Sequence, residues 1–348
     1  MPRPAEDSAV REVSGIVRWY LANAYNQIEG PTCRPFFSDP SRVGEFAVRV
    51  EDLQARDEAA HFRLLVLLAL YQSRRDVDVM TIQRTMAVRS VTALTSPHRL
   101  RTLIARSPCS ALHEAGTFDE RCDVYRDFAR DTATCRHRPR TPCHVKAATL
   151  AIGRMGDMGK LPTSAFLHLR GAGLVKWFAD ASAANCLPTE RADLLVARLS
   201  SIFRIGRKLA TMYVSALTVP ELAKAPWHPD LDGSRLVVVD ANVARVISHL
   251  RRDRARPNYE AMVSWLISVA ERIDLAHLQT GLPRNSPRFV QQALYVFGSR
   301  SNRAAREDTC SITRCAACPS PTCPFQINKP EKPDTKSVLP FRGAAKAE

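Results

Sequence analysis

Lysine is scarce in this 348-residue sequence. It fills only nine of the 50 basic positions, at 146, 160, 176, 208, 224, 329, 332, 336 and 346, and arginine fills the rest. A lysine at a telling position is therefore less easily background. Long apolar runs are missing too. The longest, 62–71, already contains Arg63 and falls well short of the roughly 20 residues that cross a bilayer as a helix. The opening residues, MPRPAEDSAVREV, lack the apolar centre of a secretory signal, so a cytoplasmic chain with no membrane partner is expected. Internal repeats are absent. Only 236–239 reads as a convincing strand, and the fold class expected is all-α.

Acidic residues are in deficit, 35 against 50 basic ones, for a net charge of +15. Such an excess suggests a polyanionic partner, nucleic acid before membrane. The 45% hydrophobic and 24% charged content is that of a globular protein with enough chain for a sizeable core. Ten cysteines in an intracellular chain point to metal or redox chemistry rather than disulfides. Cys310, Cys315, Cys318 and Cys323 form a compact C-x4-C-x2-C-x4-C. One knuckle flanked by longer arms suits a 4Fe–4S cluster better than structural zinc, which usually draws two Cys-x2-Cys knuckles from separated segments. Cys33, Cys109, Cys122, Cys135, Cys143 and Cys186 are dispersed. Among them Cys135, His137, Cys143 and His144 make a weaker second set of metal-ligand type.

Helical periodicity is expected over 10–24, 53–73, 79–94, 207–217, 259–273 and 289–297. The second half of 53–73 is apolar nearly all round, which marks a helix buried in a helical core. Ser96-Pro97 should stop the third of these helices. Residues 97–160 are Arg-rich and short of periodicity, an irregular insertion or a set of short helices. A helix carrying Trp177 and Phe178 follows, and Pro188-Thr189-Glu190 opens another. Gly298 is the expected C-cap of the last.

Two stretches carry chemistry. Ile202-Phe203-Arg204-Ile205-Gly206-Arg207-Lys208 lies between two helices. It is either an ordinary turn or a hairpin whose N–H groups and cations hold a phosphate. In 236–250, LVVVDANVARVISHL, an extended apolar run meets Asp240 where a helix begins. By itself that acid is a helix cap.

In order, these features resemble the helix–hairpin–helix DNA glycosylase superfamily, on its endonuclease III-like branch. The likeness covers roughly 53–94 and 188–325. Gly206-Arg207-Lys208 matches the family's G-R-K, and Val239-Asp240-Ala241-Asn242-Val243-Ala244-Arg245-Val246 its aspartate motif. Gln72 stands where the family has a glutamine that probes the DNA stack. Arg204 replaces the first glycine of the family's L-P-G-[VI]-G hairpin, and Lys208 to Asp240 is wider than usual by about a dozen residues.

The resemblance implies a two-lobed helix–hairpin–helix glycosylase fold. Residues 1–60 would pack with the cluster lobe. Residues 61–235 would form a helical barrel, with 97–160 inserted and the hairpin near 194–217. Residues 236–325 would carry the catalytic-Asp helix and the iron–sulfur loop, and 326–348 a disordered tail. It further implies a monomer acting on double-stranded DNA, nucleoid-associated when bound. Asp240 and Lys208 would be catalytic, with Gln72, Arg204, Gly206, Arg207, Arg245, Arg303 and Arg314 on the DNA. Cys310, Cys315, Cys318 and Cys323 would ligate the cluster. The activity implied is removal of a damaged or modified base, with AP-lyase activity through Lys208. Tyr213, Trp227 and His228 are further candidates for the pocket. The alternative is a non-catalytic iron–sulfur DNA-binding protein of the same fold.

Overall fold

The computed structural model describes residues 4–29, 34–72, 74–124, 132–135, 138–153, 157–170, 172–223, 228–251 and 257–299. They are mostly helical, with one two-stranded sheet. None of the described helices is long and apolar enough to cross a membrane.

Buried apolar side chains gather into two clusters. The first spans residues 37 to 236 and is built round the Glu58–Ala69 helix. Nine of that helix's twelve residues are buried, as expected for a segment apolar on every face. The second joins the N-terminal Pro4–Tyr20 helix to the Ala241–Arg251, Tyr259–Ala270 and Pro287–Gly298 helices. Phe37, Val43, Phe46 and Leu53 belong to the first cluster. These apolar groups pack beside the central helix rather than with the N-terminal one.

Several elements differ from expectation. The helix expected over 53–73 is interrupted. Arg56 adopts a positive φ of 59°, and Asp57 restarts the chain by accepting the Ala60 N–H at 2.7 Å, an N-cap. The helix expected over 79–94 is two, Asp76–Thr85 and Val88–Thr95, divided at the buried Met86. Ser96-Pro97 does end the second. Ser96 also caps the next helix, Pro97–Ala105, by accepting the Arg99 N–H at 3.2 Å.

The insertion is thus a set of short helices, plus a hairpin of Thr134–Cys135 against Arg138–Pro142. Residues 236–239 are not a strand. All four are buried, with no partner strand among the described residues. Their N–H groups find partners off any sheet: Val237 donates to Arg235 O at 2.9 Å and Val238 to Gln291 Oε1 at 3.4 Å. Gly298 lies inside its helix and is not a left-handed cap. A Cβ there would stand 2.8 Å from Val246 Cγ2 and 3.0 Å from Asn242 O. Glycine is needed because the Ala241–Arg251 helix passes so close.

A polar knot sits within the first cluster. Tyr213 and His228 are interior residues, and neither is among the residues lining the two cavities described below. His61 Nδ1 lies 3.2 Å from Tyr213 Oη, and the His228 ring stacks on Phe178 at 4.4 Å. Burial pushes His61 and His228 down to about 4. Both then bind fewer protons folded than unfolded, so stability rises with pH between about 4 and 6.5. The denaturation midpoint should fall as pH drops from 7.5 to 5. A His61→Gln variant, although less stable overall, should show a shallower fall.

Candidate active site between the two clusters

The turn at 202–206 is anchored by its apolar residues. Ile202 and Ile205 are buried, and the Ile205 N–H donates to Ile202 O at 2.9 Å. Arg204, third in this turn, has φ of 63°, the conformation a type II turn reserves for glycine. An L-residue there costs about 1–2 kcal/mol. Its guanidinium is held by Asp157, Nε at 2.8 Å and Nη2 at 2.7 Å from Oδ1. That pair is half-exposed, and such bridges contribute about 0–1 kcal/mol, so strain outweighs it. Arg204→Gly should accordingly be more stable than Arg204→Ala by about 1 kcal/mol, readable as a higher thermal midpoint. Equal midpoints would contradict the strain.

Gly206 leads into the Arg207–Thr218 helix as its N-cap. The first N–H groups of a helix have no intrahelical partners, and here they open beside Lys208. Asp240 caps the Ala241–Arg251 helix: its Oδ1 accepts the Val243 N–H at 2.8 Å, and its carbonyl the Ala244 N–H at 2.8 Å. The cap fixes the carboxylate's direction. Gln72 lies just beyond the central Glu58–Ala69 helix, its Nε2 donating to Ala69 O at 2.6 Å.

These pieces line one cavity of about 770 Å³. Gln72, Arg204, Gly206 and Lys208 come from the first cluster's side, Asp240, Asn242 and Ser299 from the second's. Five residues singled out from sequence thus share one cavity, although they come from three separated segments. Three more charged groups line it that sequence reasoning passed over: Arg74, Arg75 and Asp76. Their only signal was the abrupt polar end of an apolar helix. Arg74 donates to Gly153 O at 2.9 Å, Arg75 bridges Asp78 at 2.9 Å, and the Tyr295 hydroxyl donates to Asp76 Oδ2. The Tyr295 bond crosses from the second cluster to the first.

Arg207 and Arg245 are exposed and do not line the cavity. Arg207 reaches Glu260 at 3.5 Å, and Arg245 donates to Asn242 Oδ1 at 3.0 Å. Trp227, Arg303, Arg314 and the cysteines at 310, 315, 318 and 323 lie outside the described residues.

A second cavity, about 570 Å³, is lined mainly by apolar groups such as Leu94, Leu100, Leu103 and Ala148, and no carboxylate faces it. It offers no acid–amine pair. Among the described residues no group of three or more His, Cys, Asp or Glu side chains is arranged to hold a metal ion. Cys135, Cys143 and His144, from the weaker candidate set, are not so arranged. His137 lies outside the described residues, while His144 Nε2 meets Thr163 Oγ1 at 3.2 Å and is pushed down to about 4 by burial.

No protein-family model, curated protein or solved structure matches the chain. The site is therefore interpreted from its own chemistry.

Proposed function

We propose that the chain is a DNA glycosylase that removes a damaged or modified base from duplex DNA, with associated AP-lyase activity. The single observation carrying this reading is the shared cavity. A capped carboxylate, a lysine, a helix N-terminus and a glutamine from distant segments all face it. Its volume lies within the roughly 300–1,000 Å³ of small-molecule pockets, enough for a base turned out of the stack. The two apolar clusters on either side support the two-lobed helix–hairpin–helix glycosylase fold.

The mechanism follows from the groups present. Breaking the N-glycosidic bond builds positive charge on the deoxyribose, and Asp240 stabilises it. The amine of Lys208 attacks C1′ as the C1′–N bond breaks, and the base leaves with the bonding pair and a proton. Opening of the sugar ring then gives a Schiff base. Loss of a C2′ proton expels the 3′ phosphate, and water releases Lys208. Gln72 fills the gap left by the extruded base. The N–H groups opened at Gly206, with Arg74, Arg75 and Arg204, hold the backbone. Binding should therefore weaken steeply with salt. Arg207, Arg245, Arg303 and Arg314 extend that surface.

Cys310, Cys315, Cys318 and Cys323 supply a complete four-thiolate set for a 4Fe–4S cluster. The cluster would anchor their loop and takes no part in bond cleavage. The chain would work as a monomer in the cytoplasm, on the nucleoid when DNA-bound.

End-labelled duplexes carrying a panel of damaged or modified bases, or an abasic site, test the reading. Cleavage of the abasic duplex and of at least one base-bearing duplex is expected. The competing reading, an iron–sulfur DNA-binding protein without catalysis, predicts salt-sensitive binding and no cleavage of any of them.

A further inference from the structure

The 570 Å³ cavity takes no part in the proposed chemistry, and its charge is one-sided. Residues 79–113 hold five arginines and no Asp or Glu, and residues 132–156 hold no acid either. Apart from Pro162 and Thr163, these two segments supply the whole lining. Arg89, Arg99 and Arg106 line it, and none of the three is ion-paired to a described residue. In the 770 Å³ cavity, by contrast, Arg75 is bridged to Asp78 and Arg204 to Asp157. His144 adds no charge to the smaller cavity at neutral pH, because burial pushes it down to about 4.

Helix stability does not account for these arginines. Arg89 is the second residue of the Val88–Thr95 helix and Arg99 the third of Pro97–Ala105, and neither first turn carries an acid. A cation in a first turn opposes the helix dipole, so both stand where they are unfavourable until an anion joins them. Arg99, Leu103 and Arg106 recur at helical spacing. One face therefore offers a cation, an aliphatic group and a second cation over a rise of about 10 Å. Leu94 and Leu100, which also line the cavity, are buried, while Leu103 and Ala148 are half-buried. Exposed arginines thus border an aliphatic wall.

We propose that this cavity binds a soluble anionic amphiphile, an aliphatic chain ending in a carboxylate or phosphate. The head meets Arg89, Arg99 and Arg106, whose planar forks suit either oxyanion. The chain lies against Leu94, Leu100, Leu103 and Ala148. The volume falls within the roughly 300–1,000 Å³ of small-molecule pockets. A nucleic-acid strand would also bring phosphates, but its bases call for stacking faces. Among the described residues lining the cavity none is Phe, Tyr or Trp. The two cavities share no lining residue, so the site does not depend on the glycosylase reading.

Calorimetric titration of the full-length protein with decyl phosphate and with decanoate, both kept below micelle formation, tests the site. About one ligand per chain is expected. Binding of either supports the site, and the tighter of the two identifies its head. Decyltrimethylammonium has the same chain with a cationic head, and inorganic phosphate is a head without a chain. Each should bind at least about tenfold more weakly than decyl phosphate. Arg99→Gln with Arg106→Gln should weaken decyl phosphate by about tenfold or more. Arg84→Gln with Arg101→Gln removes the same charge from exposed arginines that do not line the cavity, and should leave the affinity unchanged. The ligand series in the wild-type chain answers the question without any variant. Equal binding of the cationic amphiphile or of inorganic phosphate overturns the proposal, as does an equal loss in the two double variants. So does binding to anionic phospholipid vesicles or duplex DNA with none to the soluble amphiphiles.

Discussion

Asp240→Asn is expected to cut base removal by about 10²–10³-fold, the scale of losing one preorganised electrostatic stabiliser. Asparagine keeps the cap, since its side-chain oxygen can still accept the Val243 N–H. The thermal midpoint should therefore hardly move, and DNA binding should survive. What is lost is the negative charge beside C1′. Asp240→Ala removes the cap as well and should add a stability loss of about 1 kcal/mol. Single-turnover excision rates set beside thermal melts separate the two effects. If Asn and wild type excise at equal rates, Asp240 is only a cap.

Lys208→Ala is expected to abolish covalent capture of an abasic duplex by borohydride and to end strand cleavage there, because no amine remains to form the Schiff base. Lys208 is half-buried one turn or less from the open N-terminus of its helix. Losing it also removes a phosphate contact, so the affinity loss should be modest and should shrink at high salt. A purely electrostatic role for Lys208 predicts the converse: weaker binding, with capture persisting at another residue. The two outcomes separate cleanly because one reads a bond and the other a salt dependence.

Much of this site was legible in the sequence because its signals are local. A cap needs only an acid ahead of a helical stripe, and Asp240 does cap the Ala241–Arg251 helix. The hairpin needs only a turn between two helices, and Arg204 takes the left-handed conformation that glycine adopts most readily. The roles of Arg74, Arg75 and Asp76 depend instead on which segments meet across the cavity, which no spacing rule encodes. The run at 236–239 misled because buried apolar residues look alike in a strand and in an extended connection between two cores. Only the partner of each N–H distinguishes them, and one of these partners is the side chain of Gln291. Gly298 showed another limit: a glycine closing a helix suggests a cap, yet here it is required by the neighbouring helix.

The central claim is that Asp240 and Lys208 face one reacting sugar in the cavity between the two clusters. Borohydride capture followed by peptide mapping tests it most directly. Wild type should form a covalent adduct with an abasic duplex, mapped to Lys208. Asp240→Asn should still capture the abasic duplex while failing on the base-bearing one. An adduct mapped elsewhere, or no adduct and no strand break on any duplex while binding remains intact, would contradict the account.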